Sequence, residues 1–161
     1  MPVWMLERER AKEAYACVRE VARLDSKVQQ RYRSQSRGGS AMIQRNGLGQ
    51  YLAFLASRGF MRDALRPASG KTVADHADGL LYQHLGRWLA RALKVQDNLP
   101  DAKNVKPGAG RTLDPLDFLL DASCTLEQTM LATREALAYL QWARRFAESQ
   151  LSAPETLEDR R

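Results

Sequence analysis

Residues 72–95 read TVADHADGLLYQHLGRWLARALKV. Val73, Ala77, Leu80, Leu81, His84, Leu85, Trp88, Ala92 and Val95 recur at spacings of three and four, which puts them on one face of a helix. Thr72, with Asp75 three residues on, makes a capping box that opens it. The same period runs through most of the chain. Upstream, Cys17, Val21, Leu24, Val28 and Tyr32 mark one face of a long first helix, predicted from about Trp4 to Arg33. Ser34 to Gly39 (SQSRGG) interrupts the pattern and reads as a bend. Ser40 is placed to cap a short helix carrying Met42 and Ile43, which stops at Asn46-Gly47. Leu48, Leu52 and Leu55, with Tyr51 and Phe54, predict another helix up to Gly59, either separate or continuous through a kink at Gly47.

Phe60 to Gly70 reads as a linker. Gln96 to Thr112 is a long connection containing Pro100, Pro107, Gly108 and Gly110, and structureless loops of that length are usually mobile or functional. Asp114-Pro115 starts a further helix, with Asp as cap and Pro at the first position. That helix is predicted to reach about Gln150, roughly 50 Å at 1.5 Å per residue. Strand-like alternation is absent. The expectation is an all-α fold, a helical bundle with two long helices and several shorter ones. It forms one domain over residues 1–150, followed by a flexible polar tail over 151–161.

The charge is unevenly distributed. The chain of 161 residues carries 25 Lys+Arg and 19 Asp+Glu, a formal +6. From Ser26 to Arg62 there are seven basic residues and no acidic one, which leaves 18 basic and 19 acidic residues elsewhere. A local cationic cluster attracts a polyanion by releasing its counterions, and nucleic acid is the commonest such partner. A solvated basic face that keeps the domain soluble would look the same. No apolar run has the length of a membrane span, and Met1–Leu6, followed at once by Glu7-Arg8-Glu9-Arg10, does not read as a signal peptide. A cytoplasmic protein is expected. Cys17 and Cys124 each lie within an apolar helical stripe and read as buried free thiols.

Catalytic motifs are not assembled. Ser69-Gly70-Lys71-Thr72 copies the end of a phosphate-binding loop, but Leu65 stands where its first Gly belongs and no strand precedes it. His76 and His84 are roughly 12 Å apart along one helix, too far to share a metal. His76 reads as exposed near a helix cap and His84 as a hydrogen-bonded packing residue. Asp114, Asp117 and Asp121 form a stripe, which suits a helix dipole better than a metal site. No nucleophile, base and orienting group come together, so no catalytic residue, metal or cofactor is expected.

Three segments stand out as patterns: Tyr32–Ser34 through Met42–Leu55 (MIQRNGLGQYLAFL), Leu81–Leu89 (LYQHLGRWL) and Thr133–Glu148 (TREALAYLQWARRFAE). In this order and in a chain of this size, they resemble the small helical subunit of type III-B CRISPR effector assemblies, the fifth protein of the Cmr complex. The Ile43-x-x-x-Gly47-Leu48-x-x-x-Leu52-x-Phe54-Leu55 core is the most specific part, and Trp142-x-x-Arg145-Phe146-Ala147 supports it. The resemblance implies a non-catalytic α-helical protein whose copies stack head to tail. They form a minor filament beside the subunits that hold the guide RNA, with basic faces lining the channel where guide and target RNA pair. Other Cmr subunits, guide RNA, target RNA and further copies of the chain are then its partners. A type III-A small subunit, or a helical adaptor whose basic face meets an acidic protein, would be alternatives; a small nuclease would be a third class.

A repeated subunit that tolerates any target should hold phosphates and leave base edges alone, since phosphate contacts carry no sequence information. Arg31, Arg33, Arg37 and Arg45, with Lys27 one turn earlier, form the expected RNA-contacting group. Gln44 and Gln50 are neutral donors to backbone oxygens. Arg144 and Arg145 join them from the third segment, with a structural salt bridge as the other reading of Arg145. Arg87 reads equally as structural or functional, and Tyr51, Phe54, Trp88 and Trp142 as core.

Overall fold

The structure is a computed structural model that describes residues 2–61, 64–67, 73–95 and 114–153. Among the described residues six helices run in the order α1 (Val3–Val21), α2 (Ser26–Asn46), α3 (Leu48–Gly59), α4 (Val73–Val95), α5 (Pro115–Leu120) and α6 (Leu126–Gln150). A two-stranded antiparallel ribbon, β1 (Phe60–Met61) and β2 (Ala64–Pro67), follows α3, with Phe60 paired to Pro67 and Met61 to Ala64. The all-α expectation holds. The linker expected from Phe60 partly forms this ribbon.

The expected first helix is two. Between Val21 and Ser26 the chain turns, and Asp25 caps α2 by accepting the Lys27 amide at 2.8 Å. The Gln29 carboxamide donates to the carbonyls of Ala22 (3.0 Å) and Leu24 (2.9 Å), supplying partners to the open end of α1. Leu24 therefore leaves the apolar stripe and is exposed. The bend expected over 34–39 is absent, and Ser40 caps nothing: α2 continues to Asn46. Ser36 donates to the Tyr32 carbonyl at 2.8 Å without breaking the helix. Gly39 lies where a Cβ would stand 2.6 Å from the Tyr51 hydroxyl and 3.1 Å from Leu140 Cδ1, so it serves close packing, not a turn. Gly47 does stop the helix, with φ +87°.

The last expected helix also divides. Asp114 caps α5 by accepting the amides of Leu116 (3.0 Å) and Asp117 (3.3 Å), behind Pro115. After Leu120, Asp121 turns back to accept the Ser123 amide and hydroxyl, at 2.8 and 2.6 Å. Thr125 and Gln128 then form a reciprocal capping box that starts α6. Asp114 and Asp121 are thus spent on local backbone donors, and Asp114 also accepts from the Tyr82 hydroxyl. Cys124 sits in the turn before α6, only partly buried, unlike the buried Cys17; both are free thiols.

Helix α4 is the centre and packs against all five other helices. One hydrophobic cluster draws on every helix, with Trp88 stacked on Tyr139 at its middle. Arg10 of α1 holds Glu135 of α6 through Nη2 at 2.9 and 3.1 Å, and the same carboxylate accepts from Trp88 Nε1 at 3.3 Å. Both charges are buried. Trp142 donates to Glu7 at 2.6 Å, and Glu7 also pairs with Arg10. Further along both helices Tyr15 meets Phe146 edge to face at 5.3 Å, and Gln29 bridges Ala22 after α1 to Ser152 after α6, so α1 and α6 lie side by side in the same direction. The predicted capping box at Thr72 and the loop Gln96–Thr112 lie outside the described residues. Among the described residues no helix is long and apolar enough to cross a membrane.

Candidate nucleic-acid interface

Helix α2 carries Lys27, Arg31, Arg33, Arg37 and Arg45 and no acid. Its inward face is set by Val28, Tyr32, Gln35, Ser36, Gly39 and Ile43, all buried. At about 100° per residue, Lys27 and Arg45 fall on one meridian of the opposite face, with Arg37 roughly 80° to one side. Lys27, Arg37, Gln44 and Arg45 are exposed. None of the three cations has an ion pair or side-chain hydrogen bond to another described residue. Lys27 and Arg45 lie roughly 27 Å apart along the axis. Gln50 is exposed in the first turn of α3, just beyond Gly47.

Arg31 is placed differently. Its Nε and Nη2 donate to the two oxygens of Asp78, both at 3.0 Å. Asp78 is 0% exposed, and Arg58 reaches the same carboxylate at 4.0 Å. Arg31 thus neutralises a carboxylate buried on α4 and joins α2 to the core. Arg33 is half-buried and donates to the Leu151 carbonyl at 3.2 Å, closing the end of α6. Arg144 pairs with Glu148 one turn later at 3.1 Å, whereas Arg145 is exposed with no partner among the described residues. Arg87 pairs with Glu20 at 3.1 Å and is structural. Of the nine residues singled out, the structure brings Lys27, Arg37, Gln44 and Arg45 onto one face, pairs Arg31 and Arg144 with carboxylates of the same chain, and ties Arg33 through one donor to the Leu151 carbonyl.

Beneath this face lies a polar chain. The Tyr32 hydroxyl meets His84 Nδ1 at 2.7 Å, and His84 Nε2 meets Glu20 at 3.2 Å. The hydrogen bond from His84, with help from Arg87, holds the Glu20 carboxyl down to about 2. Burial pushes His84 below its ordinary value. A neutral imidazole beside a carboxylate must donate from Nε2, so Nδ1 accepts from Tyr32. His84 is therefore the hydrogen-bonded packing residue expected of it.

The sequence reading missed Asp78 as the partner of Arg31. A signal was there: Asp78 precedes Leu81 and Leu85 by three and seven residues, which places a carboxylate on an apolar face where it needs a cation. Among the described residues, no group of three or more His, Cys, Asp or Glu side chains is placed to hold a metal ion. The model of one protein family, described as CRISPR-associated protein (Cas_Cmr5), matches residues 6–150, from α1 to the end of α6.

Proposed function

The chain belongs to the Cas_Cmr5 family, the small helical subunits of type III-B CRISPR effector complexes, and from that membership we propose that it lines and stabilises the paired guide and target RNA. In this reading residues 1–150 form one non-catalytic domain working in the cytoplasm beside the other Cmr subunits. Copies stack head to tail, so that docking one places the next beside its phosphates at high effective concentration. The observation that carries it is the acid-free outer face of α2, where Lys27, Arg37 and Arg45 are exposed and unpaired among the described residues. Gln44 and Gln50 add neutral donors, with Arg33 and Arg145 at the margin. Arg31 and Arg144 drop out of the contact group because carboxylates of the same chain hold them.

Exposed apolar side chains favour protein contacts elsewhere. Val3 and Trp4 open α1, and Leu126 and Met130 open α6. Because these two helices run in parallel, both openings lie towards the same end of the bundle, a surface suited to another subunit.

The test is titration of the purified chain onto RNA at several salt concentrations. Three phosphate contacts give a slope of log K against log salt of about −2 on a single strand. Reversing Lys27, Arg37 and Arg45 to Glu should abolish binding with helix content unchanged. Undiminished binding in that variant would move the interface off α2, and metal-dependent cleavage by the isolated chain would make the protein a nuclease.

A further inference from the structure

Gly38 sits in the middle of α2, helical and exposed, and a Cβ built on it would meet nothing within 4 Å. Its neighbour Gly39 is required by the Tyr51 ring, whereas no described residue requires a glycine at 38. Glycine in a helix interior destabilises relative to alanine because more backbone freedom is lost on folding. The fold therefore carries a destabilising residue with no return among the described residues.

Its position supplies a reason. Gly38 is eleven residues after Lys27 and seven before Arg45, which sets all three within roughly 20° of one meridian of α2. Axially it falls about 16 Å from Lys27 and about 10 Å from Arg45. Ser34 and Ala41 beside this line are also short, and Arg31, which lies on it, turns its guanidinium away to Asp78. Arg37 stands immediately to one side. The cations thus bracket a strip of helix whose backbone is bare, and no carboxylate of α2 interrupts it.

We propose that Gly38 is the point of closest approach for a ribose–phosphate backbone lying along α2, held at its ends by Lys27 and Arg45 and from the flank by Arg37. This rests on the RNA-lining reading above and assigns that interface its contact floor. The absence of a side chain lets the strand come down onto the helix, so that the arginine and lysine heads meet phosphate oxygens directly instead of through water. A strand held by its backbone is not read for sequence. A second copy's helix would also fit a bare strip, but three cations around it, unpaired among the described residues, favour a polyanion.

The experiment uses the full chain, a fluorescein-labelled RNA duplex of arbitrary sequence, and thermal melts. Gly38→Ala should raise Tm by about 2–4 °C. Gly38→Leu, a strong helix former, should melt no lower than the parent and yet bind the duplex about tenfold more weakly. Parent-like RNA affinity in Gly38→Leu, with binding lost in the Lys27→Glu, Arg37→Glu, Arg45→Glu variant, overturns the contact floor and leaves the RNA face standing. If Gly38→Leu instead loses self-association by sedimentation while its RNA affinity is unchanged, the strip belongs to a second copy and the proposal is wrong. RNA binding that survives the triple charge reversal removes the RNA-lining reading itself, and this inference with it.

Discussion

Asp78 is fully buried on α4 and is answered by two arginines from different helices, Arg31 of α2 and Arg58 of α3. Removing one partner of a buried pair is costly because the other charge stays behind without solvent. Asp78→Ala leaves behind two arginines that both keep some access to water, so it should destabilise the protein by about 2 kcal/mol in urea denaturation, below the range for fully buried pairs. A smaller loss than about 1 kcal/mol would mean that Arg31 rehydrates freely and that the pair is ornamental. The same pair explains why the candidate site was only half legible. Charge counting finds every cation of α2 but cannot separate those facing water from those facing a carboxylate. That distinction depends on Asp78, 47 residues downstream of Arg31, and on how α2 and α4 are brought together. Lys27, Arg37 and Arg45 were legible because their environment is the solvent.

At the level of elements, α2 owes its length to small residues used for packing. The Tyr51 hydroxyl fills the space over Gly39 and reaches the Gln35 carbonyl at 3.5 Å. Gly39→Ala should push the Tyr51 ring off the helix and cost roughly 1–3 kcal/mol, the usual penalty for overpacking. Pairing it with Tyr51→Phe, which removes the clashing oxygen, should recover part of that loss in chemical denaturation. Full additivity of the two changes would show that they do not touch. This packing role is why SQSRGG reads falsely as a bend: the same composition serves turns and close helix crossings, and only the neighbour distinguishes them. Local signals fared better. Asp114-Pro115 and Asn46-Gly47 act as start and stop through their own backbone chemistry. Asp25 before Ser26, and Thr125 with Gln128, carried signals of the same kind inside what looked like unbroken apolar periods.

For the molecule as a whole, acid is the condition that loosens it. His84 is neutral in the fold and titrates below its ordinary 6.5 because it is buried. Below that pH the unfolded chain takes up a proton that the folded chain refuses, so stability is full above about pH 6.5 and declines as pH falls. Glu20, held down to about 2, adds a second contribution, present above about 4.5 and lost as pH drops towards 2. Melting curves should show a falling Tm from about pH 6.5 to pH 5, and His84→Gln should flatten that segment. An unchanged slope in the variant would assign the acid sensitivity to other groups. The parallel pair of α1 and α6 has a different consequence, one for synthesis. Arg10 leaves the ribosome 125 residues ahead of the carboxylate that receives it, and Trp88 waits for the same group. Until α6 emerges, the growing chain holds an unanswered guanidinium and an uncovered indole. A message cut short before codon 135 thus yields a product for chaperones and proteases, not a smaller working protein.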